Sequence, residues 1–246
     1  MPTYSPLWTK QQKPALWNRS ALQYSRIKLA ELKSERGIES PLVDALSENL
    51  PIGAWVAGGF PMNFMRKTLD KAGDIDLYFS GPGPFENTLN LLLNGTNEVI
   101  GKYEIESESN ALFSLKPLNP GHKKIQAIKI QWCDDAAHVI DNFDWTVSQF
   151  AIDGEDLVYN PMAIIDLAQN KLVLHRLHTH TDALYRLVKY LKKGFYPTTI
   201  TLDKLTAEIG KQEVLDPNQG SPVRARNRAY PQEQRTLATS VGGGYT

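Results

Sequence analysis

The sequence predicts an α/β (α+β) fold in which a small mixed β-sheet is flanked by N- and C-terminal helices. Three observations carry this prediction. Short apolar runs of strand length alternate with helical segments bounded by Pro and Gly. Apolar residues make up 41% of the 246-residue chain and charged residues 22%, so a sizeable core is affordable. A Gly-Gly pair ends one apolar run and Asp-Ile-Asp opens another, which puts the polar chemistry on the strands themselves.

The same figures exclude several classes. Lys plus Arg total 27 and Asp plus Glu total 27, a neutral balance unlike that of a histone-like or coat-like DNA binder. Cys133 is the only cysteine, so neither an internal disulfide nor a cysteine zinc cage can form. The N-terminus MPTYSPLWTKQQ lacks the apolar stretch of a signal peptide, and no 18-residue apolar run occurs. The expectation is a cytoplasmic protein with no membrane partner.

Taken in order, Pro2, Pro6 and Pro14 mark an extended arm. Leu16, Leu22, Ile27, Leu29 and Leu32 then give a loose helical pattern from Ala15 to about Ser34. Ser40 is an N-cap with Pro41 behind it and Asp44 in the first turn, so a helix runs to about Asn49. Ala54–Ala57 is a buried strand ending in Gly58-Gly59, and Pro61 opens a helix to about Lys71, stopped by Gly73. Asp74–Phe79 reads as a strand entering a core, Gly81–Pro84 as a turn, and Phe85–Leu93 as a helix. Val99–Ile105, Ala111–Leu115 and Lys124–Trp132 are further strands. In the last of these, Ile125 and Ala127 share one face, and Gln126, Ile128 and Ile130 share the other. Phe143–Ile152 and Leu157–Tyr159 form a hairpin around Asp153-Gly154. Helices follow at Pro161–Leu167, at Asp182–Lys193 with a Thr179 or Thr181 cap and a Gly194 stop, and at Leu202–Ile209.

These elements divide into an arm with helices (1–50), a core (51–160), a C-terminal helical segment (161–216) and a tail (217–246). The tail sets Arg224, Arg226, Arg228 and Arg235 against Glu233 and is rich in Gly and Pro, so it is an extended basic segment without a core of its own.

The chemistry concentrates around Gly58 and Gly59. Gly-Gly at a strand end lets the backbone approach an anion, and the helix behind it aims free N–H groups there. Asp74 and Asp76, at i and i+2, project from one strand face. Parallel carboxylates repel unless a cation lies between them, and Mg2+ (or Mn2+) accepts carboxylate together with phosphate oxygen. This is equipment for metal-assisted phosphoryl or nucleotidyl transfer.

Ala57-Gly58-Gly59 and Asp74-Ile75-Asp76-Leu77 resemble the signature of the DNA polymerase β-like nucleotidyltransferase superfamily. Asn142-Phe143-Asp144-Trp145-Thr146 and Arg186…Lys189-Tyr190…Gly194-Phe195 are similar to later motifs of its phage or viral members. The resemblance spans about Leu50 to Phe195 and makes 51–160 a nucleotidyltransferase core. It implies Mg2+-dependent transfer of NMP from an NTP to an acceptor hydroxyl, with pyrophosphate leaving. Asp74 and Asp76 would hold two metals roughly 3.5–4 Å apart. The superfamily's third carboxylate is not on Lys124–Trp132, whose inward positions carry no acid. Asp144, opening the next strand, is the choice for this ligand, with Asp134, Asp135 and Asp141 as competitors. Gly58, Gly59, Arg186 and Lys189 would bind the nucleotide, while Lys192 and Lys193 would face solvent or a nucleic-acid acceptor. The acceptor stays open among an RNA 3′ end, a protein and a small molecule. Host cytoplasm or a virion is the place such a member would occupy.

Other readings compete. A virion or assembly protein could keep the fold and dock through its arm and through a partner held by 217–246. A nucleotide-modifying toxin or its partner ranks below it, because antitoxin-type members are shorter. His175, His178, His180 and Asp182 suggest zinc, but they lie at a loop-to-helix boundary where His residues commonly cap or face solvent. Cys133 has no paired His and reads as a strand-end residue rather than a nucleophile. Trp8 and Trp17 suit packing on a core or partner better than stacking on a base.

Overall fold

The structure, a computed structural model, describes residues 24–95 and 97–212. The proline arm, Trp8, Trp17 and the 217–246 tail lie outside the described residues. The sheet and its helices belong to a unit that ends at Thr206.

The first element among the described residues is a strand, β1 (Ser25–Lys28), where the sequence pattern predicts helix. Its cations explain the difference. β1 pairs antiparallel with β8 (Asp156–Tyr159), which brings Arg26 to Asp153 at 2.8 Å and Lys28 to Asp156 at 3.0 Å. Helix α1 (Leu29–Arg36) follows, then α2 (Pro41–Asn49), where Ser40 Oγ accepts from the Val43 N–H as its N-cap.

Strand β2 (Ala54–Ala57) runs into α3, which spans only Gly59–Met65 rather than continuing to Lys71. Lys67 adopts φ 57° and breaks the helix, and Leu69–Lys71 forms a separate 3-10 turn. Strand β3 (Ile75–Phe79) and helix α4 (Pro82–Asn94) come next. The strand expected at Val99–Ile105 lies later, at β4 (Tyr103–Glu108), because Asn97 Oδ1 accepts from the N–H groups of Val99 and Ile100 and turns the chain.

Strands β5 (Leu112–Pro117) and β6 (Ile125–Trp132) lead to α5 (Ala136–Asp141). Strand β7 (Phe150–Asp153) is shorter than the predicted Phe143–Ile152. Residues before it form a 3-10 turn, Thr146–Ser148, in which side chains compete for the backbone. Ser148 Oγ donates to the Trp145 carbonyl and Gln149 Nε2 to the Ile140 carbonyl. Helix α6 (Pro161–Ala168), strand β9 (Lys171–Leu172), helix α7 (His180–Lys192), strand β10 (Tyr196–Pro197) and helix α8 (Thr199–Gln212) complete the order.

Among the described residues, eight strands form one mixed sheet in the order β1-β8-β7-β2-β3-β6-β5-β4, with β3 and β6 parallel and the other neighbours antiparallel. Period-2 alternation gives the sheet two different faces. Val56, Ile75, Leu77, Phe79, Ile125 and Ala127 point into the main core, where they meet Leu46, Phe60, Phe64 and Leu92. Trp55, Ala57, Ala151 and Val158 point the other way and pack with Val139 and Ile140 of α5. Asp76 and Tyr78 alternate with core residues of β3 and therefore stand on this second face. No helix among the described residues is long and apolar enough to cross a membrane.

Candidate active site

The site begins at the end of β2. Gly58 has φ 83° and ψ −123°, a left-handed conformation that side chains rarely adopt, and its N–H donates to the Phe150 carbonyl at 3.0 Å. A Cβ there would lie 3.6 Å from the Phe143 ring and 3.8 Å from Asp76 Oδ2. These are ordinary contacts, so the position calls for glycine by its φ and not for want of space, and the Asp76 carboxylate lies beside the backbone where α3 starts. Register explains the meeting: Ala57 is the antiparallel partner of Asp76. Because α3 has seven residues, its dipole contributes little here.

Asp74 precedes β3 by one residue and is exposed. Its Oδ2 accepts from Gln126 Nε2 at 3.0 Å. Gln126 is the parallel-strand partner of Asp76, so the position where a third acid was sought on β6 carries an amide instead. Asp76 is half-buried, and its carboxyl is pushed up to about 7 by burial and then by the charge of Asp74. Lys189, Arg186 and Lys193 oppose that shift. Tyr78, two residues on, is raised by burial and by Asp76, and packs edge-on to Phe143 at 5.7 Å.

Helix α7 supplies the cations. Ala183 and Tyr190 are buried on one stripe. Beside it Arg186 and Lys189, with Lys193 at the C-cap, follow i, i+3, i+7 spacing and lie on one side of the helix. Thr179 Oγ1 accepts from the Asp182 N–H and caps the helix. Lys193 is lowered by burial and by its neighbours Lys189 and Arg66. Arg66 sits over the Phe195 ring at 4.7 Å and donates to Asn170 Oδ1. Lys193, which the sequence turns toward solvent or a nucleic-acid acceptor, is partly buried and acts on Asp76 together with Arg186 and Lys189. Lys193 shares the spacing of Arg186 and Lys189, while Arg66 carries no local signal.

Asp144 is 1% exposed, and Arg186 Nη1 donates to its Oδ2. Burial raises its carboxyl despite the opposing charges of Arg186 and His178. The other candidate acids are engaged locally. Asp135 caps α5 through the His138 N–H, and His138 Nδ1 is 3.3 Å from Asp134. Asp141 pairs with Arg176 at 2.8 Å and accepts from the Tyr24 hydroxyl. His175 lies against Asp141, and His178 against the Asn142 carbonyl at 2.6 Å. Cys133 is buried, which pushes its thiol up to about 12.

Among the described residues, no three His, Cys, Asp or Glu side chains form a group able to hold a metal. The structure brings Asp74, Asp76, Gly58 and the cationic stripe of α7 together, and pairs Asp144 with Arg186 of that stripe. Asp74 and Asp76 offer two hard oxygen donors in mutual repulsion, which suits a divalent cation whose remaining positions go to phosphate and water.

Solved structures of CCA-adding enzymes are similar to this chain in fold. The complex with CTP has a TM-score of 0.55 and 17% identity, and the match covers 76% of this chain and 47% of that one. The Thermotoga maritima CCA-adding enzyme complexed with tRNA has a TM-score of 0.54 and 16% identity, with 82% and 54% covered. The complex with ATP gives 0.54 and 17%, with 77% and 48% covered. The chain thus has a nucleotidyltransferase-like fold and spans about half the length of these enzymes. No curated protein matches the sequence. The family model that does match, over residues 30–170, includes β2, Gly58, both strand acids and Asp144, and by that match the chain belongs to the Gabija anti-defense 2 family.

Proposed function

We propose that this protein is a divalent-cation-dependent nucleotidyltransferase that moves NMP from an NTP to an acceptor hydroxyl and releases pyrophosphate. The observation that carries the reading is the Asp76 carboxylate beside Gly58, with Asp74 just before the same strand and the cations of α7 acting on it. Asp74 and Asp76 would hold Mg2+ or Mn2+. When bound, such an ion polarises phosphate oxygens and lowers the pKa of an attacking hydroxyl. Arg186 and Lys189 would hold the triphosphate, with Lys193 and Arg66 at the outer end of the cationic row. Gly58 and Gly59 keep the nucleotide's approach clear of side chains. Gln126 orients Asp74 through its amide. Membership of the Gabija anti-defense 2 family supports action against the Gabija defense as the purpose of the reaction.

The test is incubation of the folded protein with each α-32P NTP, Mg2+ and a mixed RNA and protein acceptor pool. An Asp74→Ala/Asp76→Ala variant is the control. Label transfer that the variant loses is the expected result, and the mobility of the labelled product identifies the acceptor. Absence of transfer with all four nucleotides from folded protein would overturn the reading.

A further inference from the structure

A carboxylate removed from water is costly unless charge and hydrogen bonds compensate it, so a buried acid beside a functional helix calls for a physical account. Asp144 lies between α5 and the 3-10 turn at Thr146–Ser148, and its main chain is fixed. Its carbonyl accepts the N–H groups of His175 at 2.7 Å and Arg176 at 3.2 Å. Its two oxygens behave differently. Oδ2 takes the Arg186 donor, whereas Oδ1 has no hydrogen-bond partner among the described residues and faces His178 Nε2 at 3.7 Å.

The exposures are equally unequal. The Asp144 side chain is 1% exposed and that of Arg186 48%. A guanidinium has five N–H donors in a planar fork, so anchoring one edge leaves the others directed outward. Arg186 is close enough to Asp76 and Tyr78 for its charge to lower both carboxyl and phenol.

We infer that Asp144 is a positioning residue, which holds Arg186 from behind so that its outward donors meet a phosphate of the nucleotide bound over Asp74 and Asp76. The inference rests on the nucleotidyl-transfer reading and assigns Asp144 a role through Arg186 instead of contact with a metal. Fixing a long side chain beforehand removes an ordering cost from binding. The loss of that anchor is therefore read as weaker nucleotide binding.

Equilibrium dialysis of radiolabelled ATP and adenosine, with Mg2+, over the full-length protein tests this. Asp144→Asn is expected to weaken ATP binding about tenfold and to leave adenosine binding nearly unchanged. Arg186→Ala should weaken ATP at least as much, and the double variant should bind no more weakly than Arg186→Ala alone. Asp166→Asn, which alters another buried acid that accepts from Thr146, is expected to leave ATP affinity unchanged. If Asp144→Asn does not fold, Asp144→Glu replaces it with the same expected loss. Unchanged ATP affinity in a folded Asp144 variant would overturn the inference, as would losses that multiply in the double variant. Wild-type protein that binds no nucleotide with Mg2+ or Mn2+ would instead overturn the nucleotidyl-transfer reading itself.

Discussion

Replacing Asp76 by Asn should change how stability depends on pH, and the structure fixes both sign and size. The carboxyl of Asp76 is raised from its ordinary 3.8 to about 7, first by burial and then by Asp74. Between these values the folded protein keeps a proton that the unfolded chain has released. Stability therefore falls as pH rises through that window, and the contribution is gone above about 7. From pH 5 to pH 7 the change spans two units at about 1.36 kcal/mol each, so wild type loses about 2–3 kcal/mol from this group by pH 8. Partial exposure of Asp76 moves the figure toward the lower end.

Urea unfolding at pH 5 and pH 8, read as the difference between wild type and Asp76→Asn, isolates the effect from other titrating groups. The Asn variant should lack the extra slope and be the more stable protein at pH 8. Mg2+ should restore stability to wild type at pH 8 through binding to the folded state, and should do less for the variant. Equal pH slopes in the two proteins would refute the placement of Asp76 as a crowded, partly desolvated acid.

Other substitutions probe separate parts of the structure. Arg186→Met leaves the buried Asp144 carboxylate without its partner and should cost about 3–5 kcal/mol in urea unfolding, part of it recovered when Asp144→Asn is added. Gly58→Ala forces a side chain into φ 83°, which should cost about 1–2 kcal/mol in thermal unfolding. Leu77→Ala empties a fully buried position on the opposite face of β3 and should cost about 2–5 kcal/mol, measured by the same denaturation.

What the sequence made legible was local. Gly58-Gly59, Asp76 within β3 and Asp74 just before it, the Ser40 cap and the Asp153-Gly154 hairpin each depend on residues within one turn or one strand, and the structure contains them at those places. Features set by distant partners were not legible. The strand character of β1 comes from acids more than a hundred positions away on the β7–β8 hairpin. The end of α3 follows from the left-handed Lys67, whose amine donates to the Arg36 carbonyl at 2.5 Å. Asp144 is legible as the acid of the Phe143-Asp144 motif, but its surroundings depend on Arg186, 42 positions later. Gln126 is legible on its strand face, but its bond to Asp74 depends on the parallel register of β3 and β6, which no local pattern encodes.

The division of charge across the site narrows what can complete it. On the strand side stand Asp74 and Asp76, whose mutual repulsion favours a cation. On the helix side, Asp144 already offsets Arg186, while Lys189, Lys193 and Arg66 crowd one another enough to lower Lys193. These cations call for an anion. A bare cation would serve the strand and leave the helix unpaired, and a bare phosphate would do the reverse while adding repulsion against Asp76. A metal-bound polyphosphate carries both signs in the required order, with metal toward the acids and phosphate oxygens toward α7. That complementarity supports nucleotide triphosphate chemistry over a site that merely binds anions. It also predicts that nucleotide and divalent cation each raise the affinity for the other, a coupling measurable by titrating ATP at several Mg2+ concentrations. Affinity for ATP that does not depend on Mg2+ would count against this pairing of charges.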